Sequence, residues 1–247
     1  VAGEFAVAKE RVRGTELLYF AREASDAELR RSFAPTADMV EFFERKAGVD
    51  IPQRRYAQML VPGSVAQEAV NLSLIGADLV NAMRADPQED WVIAHELAHQ
   101  WWGNAITCAD LSQFWLNEGI TVFMVAAWKE YRWGHDAYER ELQLHRQRVE
   151  WAKAGGVDRK LTSRESYPSL PLRRAIHYSK GALFMDRLRQ DLGDELFWRA
   201  FKRYTRTYLG KTVTSQDLQR SFEQTSRRDL SSLFDQWVYE SPDSGGG

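Results

Sequence analysis

Apolar and polar positions change their period along the chain. Over the first twenty residues they alternate loosely, with Phe5 and Val7 before the turn signal Arg13-Gly14-Thr15 and Leu17, Leu18, Tyr19 and Phe20 after it. That pattern predicts short strands. Ser25 and Glu28 form a capping box, and a helical period then runs to Lys46, with a break at Pro35 and a stop at Gly48 before Pro52. Residues 56–61 (YAQMLV) read as a strand, and residues 68–75 (EAVNLSLI) as another. Beyond residue 88 the period is helical. Asp86-Pro87 opens a helix expected to run to Gly103, with Trp91, Ala94, Leu97 and Ala98 on its apolar side. A long helix follows from near Ser112 to Arg132 with Gly119 inside it, and others cover 135–153, 172–191, 194–208, 214–225 and 229–239. Gly155-Gly156 and the stretch 162–171 are the expected long loop. A small front β-sheet with helices behind it is an α+β fold, predominantly helical. The chain divides into a strand-rich segment at 1–22, a main domain at 23–240 and a flexible glycine-rich tail at 241–247.

Composition changes this picture little. The 247 residues, 44% of them hydrophobic, can bury a substantial core. A net charge of −2 with no long run of lysine or arginine gives no reason to expect nucleic acid. Cys108 is the only cysteine, so no intrachain disulfide forms. No apolar run approaches the ~18–20 residues that span a bilayer. The start, VAGEFAVAKE, lacks the basic-then-apolar pattern of a signal peptide. No compartment follows from any of this.

Residues 95–104, HELAHQWWGN, carry the candidate chemistry. Positions four apart on a helix share a face, with Cβ atoms ~5–6 Å apart. His95 and His99 can therefore present two imidazoles to one ion. Zinc takes three protein ligands when its fourth place holds a reactive water, and Glu96, one residue out of line, can reach past the metal toward that water as general base. The pentapeptide alone also fits two histidines hydrogen-bonded in a core. With eighteen residues intervening after His99, the segment FWLNEGI carries Glu118 among Phe114, Trp115, Ile120 and Val122. That spacing fits a loop and the first turns of a second helix packed on the first. A carboxylate in such surroundings needs a cation, and zinc completes a three-ligand set.

HELAHQWWGN followed by WLNEG resembles the aminopeptidase-N family of zinc peptidases, the gluzincins, which commonly show HELAHQWFGN and WLNEGF. The resemblance covers residues 15–240. It implies a thermolysin-like catalytic domain, one zinc per chain on His95, His99 and Glu118, and hydrolysis of a peptide substrate by a metal-activated water with Glu96 as base. Residues 176–182, IHYSKGA, are similar to the family's Y-x-K-G-A segment, whose tyrosine hydroxyl stabilises the oxyanion; that role falls on Tyr178. Read without the resemblance, a tyrosine in an amphipathic helix is core. His135, His145 and His177 are expected to be core or surface residues and not ligands. In the WWGN half, Trp101 and Trp102 are expected to pack the helix end and Gly103 to stop it.

The family's G-x-M-E-N segment, whose glutamate binds the substrate's free amino group, corresponds to VAQEA at 65–69. Glu68 keeps the carboxylate, while Val65, Gln67 and Ala69 replace glycine, methionine and asparagine. Gly63 is a competing anchor that would move Glu68 out of register. Release of N-terminal residues is the leading expectation. An endopeptidase or other hydrolase without amine recognition, a non-catalytic scaffold of the same fold, and a domain merely stabilised by zinc stay open. Family members usually carry a β-rich domain before the catalytic domain and a helical one after it, so missing flanking domains are expected.

Overall fold

The chain's first turn folds two strands onto each other. β1 (Ala6–Val12) and β2 (Thr15–Ala21) pair antiparallel around Arg13 and Gly14, at φ 47° and 92°, as a two-residue hairpin between twisted strands requires. Ser25 and Glu28 exchange their capping-box bonds at α1 (Asp26–Ser32). α2 (Thr36–Ala47) starts after Pro35 and ends at Gly48 in the left-handed region, φ 72°. These helices carry the chain across, so that β3 (Arg55–Val61) lies parallel to β2. The single strand expected at 68–75 is instead a hairpin. β4 (Ala66–Ala69) and β5 (Leu72–Gly76) run antiparallel, with Asn71 at φ 65° in the turn. Asparagine tolerates that conformation, and the apolar alternation on either side hides it. The sheet order is β1-β2-β3-β5-β4, so β4 is an edge strand and the strands of the first 22 residues share the sheet with β3. This computed structural model describes residues 3–239; the expected tail at 241–247 lies outside them.

α3 (Ala77–Ala85), which the sequence pattern did not predict, leads to a 3-10 turn at Pro87–Glu89 and then to α4 (Trp91–Ala98). α4 ends five residues short of Gly103, because the amides of Gln100 and Trp101 bond carbonyls three residues back, at 3.0 and 3.1 Å. From Val92 to Ala98 it is buried on every side, while Trp91, expected on its apolar side, is 37% exposed. A helix buried all round, here with His95 and Glu96 as its polar members, sits at the centre of a fold. The connection that follows holds β6 (Ile106–Cys108) and a 3-10 turn at Leu111–Gln113 before α5 (Trp115–Trp133) and α6 (His135–Ala154). The helix expected at 172–191 is three pieces: α7 (Leu170–Arg174), a π-helical turn (Ala175–Lys180) and α8 (Gly181–Leu192). α9 (Asp194–Tyr208), β7 (Lys211–Val213), α10 (Ser215–Ser226) and α11 (Ser231–Trp237) complete the described chain, with β7 parallel to β6.

Four tryptophans fill the centre, and each finds an acceptor for its indole N–H. Trp128 donates to Asp90 at 2.7 Å, Trp115 to Ser215 at 3.0 Å, Trp102 to Thr205 at 3.1 Å and Trp101 to the Val49 carbonyl at 3.3 Å. A buried indole left without such a partner would cost about 1–3 kcal/mol. These bonds tie the start of α4 to α5, its far end to α9 and to the segment after α2, and the start of α5 to α10, which fixes the two segments that carry the candidate ligands.

Candidate metal centre

α4 and α5 bring His95, His99 and Glu118 together. The two Nε2 atoms stand 3.1 Å apart, and Glu118 Oε2 lies 3.4 Å from His95 Nε2 and 3.5 Å from His99 Nε2. Ligand atoms ~2.0–2.1 Å from a zinc ion at tetrahedral angles stand about 3.3 Å apart. All three side chains are buried, and Glu118 Oε2 has no hydrogen-bond donor. Burial alone would raise the Glu118 carboxyl, but the imidazoles of His95 and His99 hold it far below the usual carboxylate range. Burial would lower His99, but Glu118 beside it pushes it up to about 9. Such a trio calls for a cation at its centre. Two imidazole nitrogens and one carboxylate oxygen suit zinc with a fourth place open, and among the described residues no fourth ligand joins the cluster.

The WWGN turn does more than pack and stop. His99 Nδ1 lies 3.0 Å from the Trp102 carbonyl oxygen. A carbonyl only accepts, so Nδ1 carries the hydrogen, which leaves Nε2 as the nitrogen able to ligate a metal. Gly103, at φ 131°, closes the turn so tightly that a Cβ there would stand 2.6 Å from His99 Nδ1. Gln100 reaches the other way. Its Oε1 accepts from the Asn71 amide at 2.9 Å and its Nε2 donates to the Ala69 carbonyl at 3.0 Å, which fastens the β4–β5 hairpin to the end of α4. Only the position of these residues directly beside His99 hinted at such work.

Glu96 is 4% exposed and its Oε2 has no hydrogen-bond donor. Burial raises its pKa, against the pull of His95 and His99, and the charges of Glu68 and Glu118 raise it further. Tyr178, on the π-helical turn, lays its ring nearly parallel to His95, centroids 6.2 Å apart at 16°. Burial, then the charge of Glu118, keeps its hydroxyl protonated well above the ordinary range. Glu68 stands opposite Ser73 in the β4–β5 pair, and opposed residues share a face. Ser73 Oγ donates to the Glu96 carbonyl at 3.4 Å, so that face is the one turned to α4. Glu68 is half-buried there, and its charge reaches Glu96, His99 and Tyr178. Gly63, the competing anchor, lies outside β4 at φ 81°.

His177 and His145 lie outside the cluster and are buried. His177 Nε2 meets the Tyr167 hydroxyl at 3.1 Å; burial and then Arg173 lower its pKa to about 4. His145 Nδ1 meets Ser179 Oγ at 3.0 Å. Its Nε2 is 3.4 Å from Glu141 Oε1, whose other oxygen accepts from Lys129 at 2.6 Å. His135 is exposed beside Glu130.

Glu118 and Tyr178 are held together by two glycines. A Cβ on Gly119 would stand 2.7 Å from Gly181 Cα, and one on Gly181 would stand 2.9 Å from Gly119 Cα. The backbones of α5 and α8 therefore touch beside both candidate side chains. Propensity alone says that Gly119→Ala gains about 1 kcal/mol. The contact predicts the opposite, a net loss of about 1–3 kcal/mol from overpacking, read as a lower midpoint in urea. A rise in the midpoint would remove the contact from this account.

Comparisons with known proteins bear on the same residues. The sequence profile described as the Peptidase family M1 domain matches residues 32–237. The "Aminopeptidase N" of Lactococcus lactis subsp. lactis is 27% identical over 244 residues, covering 91% of this chain and 28% of that protein. The "Probable aminopeptidase 2" of Sulfurisphaera tokodaii is 30% identical over 152 residues, covering 60% of this chain and 19% of its own length. Among solved structures, an M1 zinc metallopeptidase from Deinococcus radiodurans superposes with a TM-score of 0.72 at 22% identity, over 97% of this chain and 54% of that one. The chain thus spans under a third of these curated relatives and about half of that structure.

Proposed function

Because the chain belongs to peptidase family M1, we propose that it binds one zinc ion through His95, His99 and Glu118, hydrolyses peptide bonds, and acts on the free amino terminus of its substrate. The observation that carries this reading is the convergence of three buried ligand atoms, within 4.8 Å of one another, from the end of α4, which also bears Glu96, and the first turn of α5. Bound zinc would supply a Lewis acid that acidifies water and polarises a carbonyl. The protein's own groups do the rest. Glu96 takes a proton from the attacking water, which its raised pKa favours, and returns it to the leaving amine. Tyr178, protonated at neutral pH, donates its hydroxyl hydrogen to the carbonyl oxygen as negative charge grows there. Glu68, on the edge strand facing α4, accepts the substrate's ammonium group and leaves only the terminal peptide bond within reach.

Peptides with free and with acetylated amino termini separate the parts of this reading. Cleavage of the free-amine peptides is expected to exceed that of the acetylated ones by about a hundredfold in kcat/KM, as loss of a charge-assisted pair implies. Equal cleavage of both would make the enzyme an endopeptidase and release Glu68 from its role, with the zinc site untouched. Cleavage of neither by zinc-loaded protein would favour a binding scaffold of the same fold. The relatives' greater length leaves room for flanking domains, which would shape the cleft from both sides.

A further inference from the structure

A depression of about 860 Å³ opens beside the π-helical turn, between the loop at 161–169, α7 and the 3-10 turn before α5. Leu111 and Leu170 line it although they are 71% and 56% exposed, and Tyr167 and His177 form part of its wall. Arg173 lines it too, half-buried, its guanidinium 4.9 Å from the centroid of the Phe114 ring. Another contact of Phe114 is the Tyr178 ring, 6.3 Å away at 66°. The cation is therefore one aromatic ring removed from the hydroxyl beside the metal cluster.

The carboxylates around it are already engaged, and Arg164, the other arginine of the lining that forms no ion pair among the described residues, is exposed where Arg173 is half-buried. Glu165 pairs with Arg159 at 3.0 Å. Asp110 accepts from the amide and hydroxyl of Ser112, and the charge of Arg164 acts on it as well. His177 stays neutral near pH 7, with its pKa at about 4. Among the described residues Arg173 has no carboxylate within ion-pairing distance. A guanidinium laid on an aromatic face is weakly hydrated and pre-oriented, with its N–H edge left for a planar anion.

We propose that this depression is a carboxylate-binding subsite for the substrate, with Arg173 as its cation and the exposed leucines Leu111 and Leu170 as its apolar walls. The proposal rests on the peptidase reading for the word substrate, and on the cavity and its half-buried, ring-stacked cation for the rest. A peptide offers a carboxylate from two sources: an aspartate or glutamate side chain, or the C-terminus of a short peptide. Bidentate pairing with Arg173 suits both.

Binding can be read without turnover. The full protein carrying Glu96→Gln, loaded with zinc, is titrated calorimetrically with matched peptides. One pair is tri-alanine and its C-terminal amide; the others are amidated peptides carrying glutamate or glutamine at the first or second position. In at least one pair the carboxylate member is expected to bind about tenfold tighter, and adding Arg173→Gln should reduce that ratio to about twofold or less. The pair that responds names the source. Arg173→Lys should keep part of the preference. Equal affinities in every pair, or a preference that Arg173→Gln leaves intact, overturn the subsite and leave the peptidase reading standing. Carboxylate-selective binding by a wild-type protein that cuts none of these peptides overturns the peptidase reading and keeps the subsite. Failure to bind any of them overturns both.

Discussion

Glu96→Gln is expected to retain one zinc ion per chain and to lose hydrolysis by about a thousandfold. Glutamine fills the same buried space on α4, but it cannot take a proton from water. Glu96 is not among the three converging side chains, so the metal has no reason to leave. What disappears is the one carboxylate at the cluster that is held ready to gain a proton. Metal content by elemental analysis and kcat on a free-amine peptide check the two halves separately. A variant still within about tenfold of wild type would exclude Glu96 as the base.

Glu118→Ala should have the second large effect, of a different kind. It removes one of the three proposed ligand atoms, leaving a two-imidazole pair that would hold zinc far more weakly. Hydrolysis should be lost along with the metal. A ligand present at about a thousand times its Kd stabilises the folded state by ~4 kcal/mol, and a domain of this size moves its melting midpoint by ~2–4 °C per kcal/mol. The variant should therefore melt on the order of 10 °C below zinc-loaded wild type. A chelator should bring wild type down by a similar amount and should change the variant little. Unaltered zinc content in Glu118→Ala would take this residue out of the ligand set.

The parts of the fold that depend on neighbours in sequence could be read from it. The hairpin at Arg13-Gly14, the capping box at Ser25 and the stop at Gly48 follow from backbone rules that act over a few residues. The placement of Glu118 was legible for a similar reason, because its distance from His99 along the chain suits two packed helices. Contacts between distant segments were not legible. Nothing in the period around Gly119 announces Gly181, and nothing in WWGN says that the Trp102 carbonyl turns back to His99. The hairpin at Asn71 was hidden by apolar residues on both sides, and the π-helical turn by an amphipathic pattern that it interrupts without breaking.

Gln100 ties the hairpin that carries Glu68 to the end of the helix that carries Glu96, through two hydrogen bonds of 2.9 and 3.0 Å. With Glu68 as the anchor for an ammonium group, those bonds turn the cleft into a ruler. The span from anchor to scissile bond is then set by secondary structure and not by a loop free to swing. How many residues leave at each cut becomes a fixed length, and lengthening the β4–β5 turn would recalibrate it.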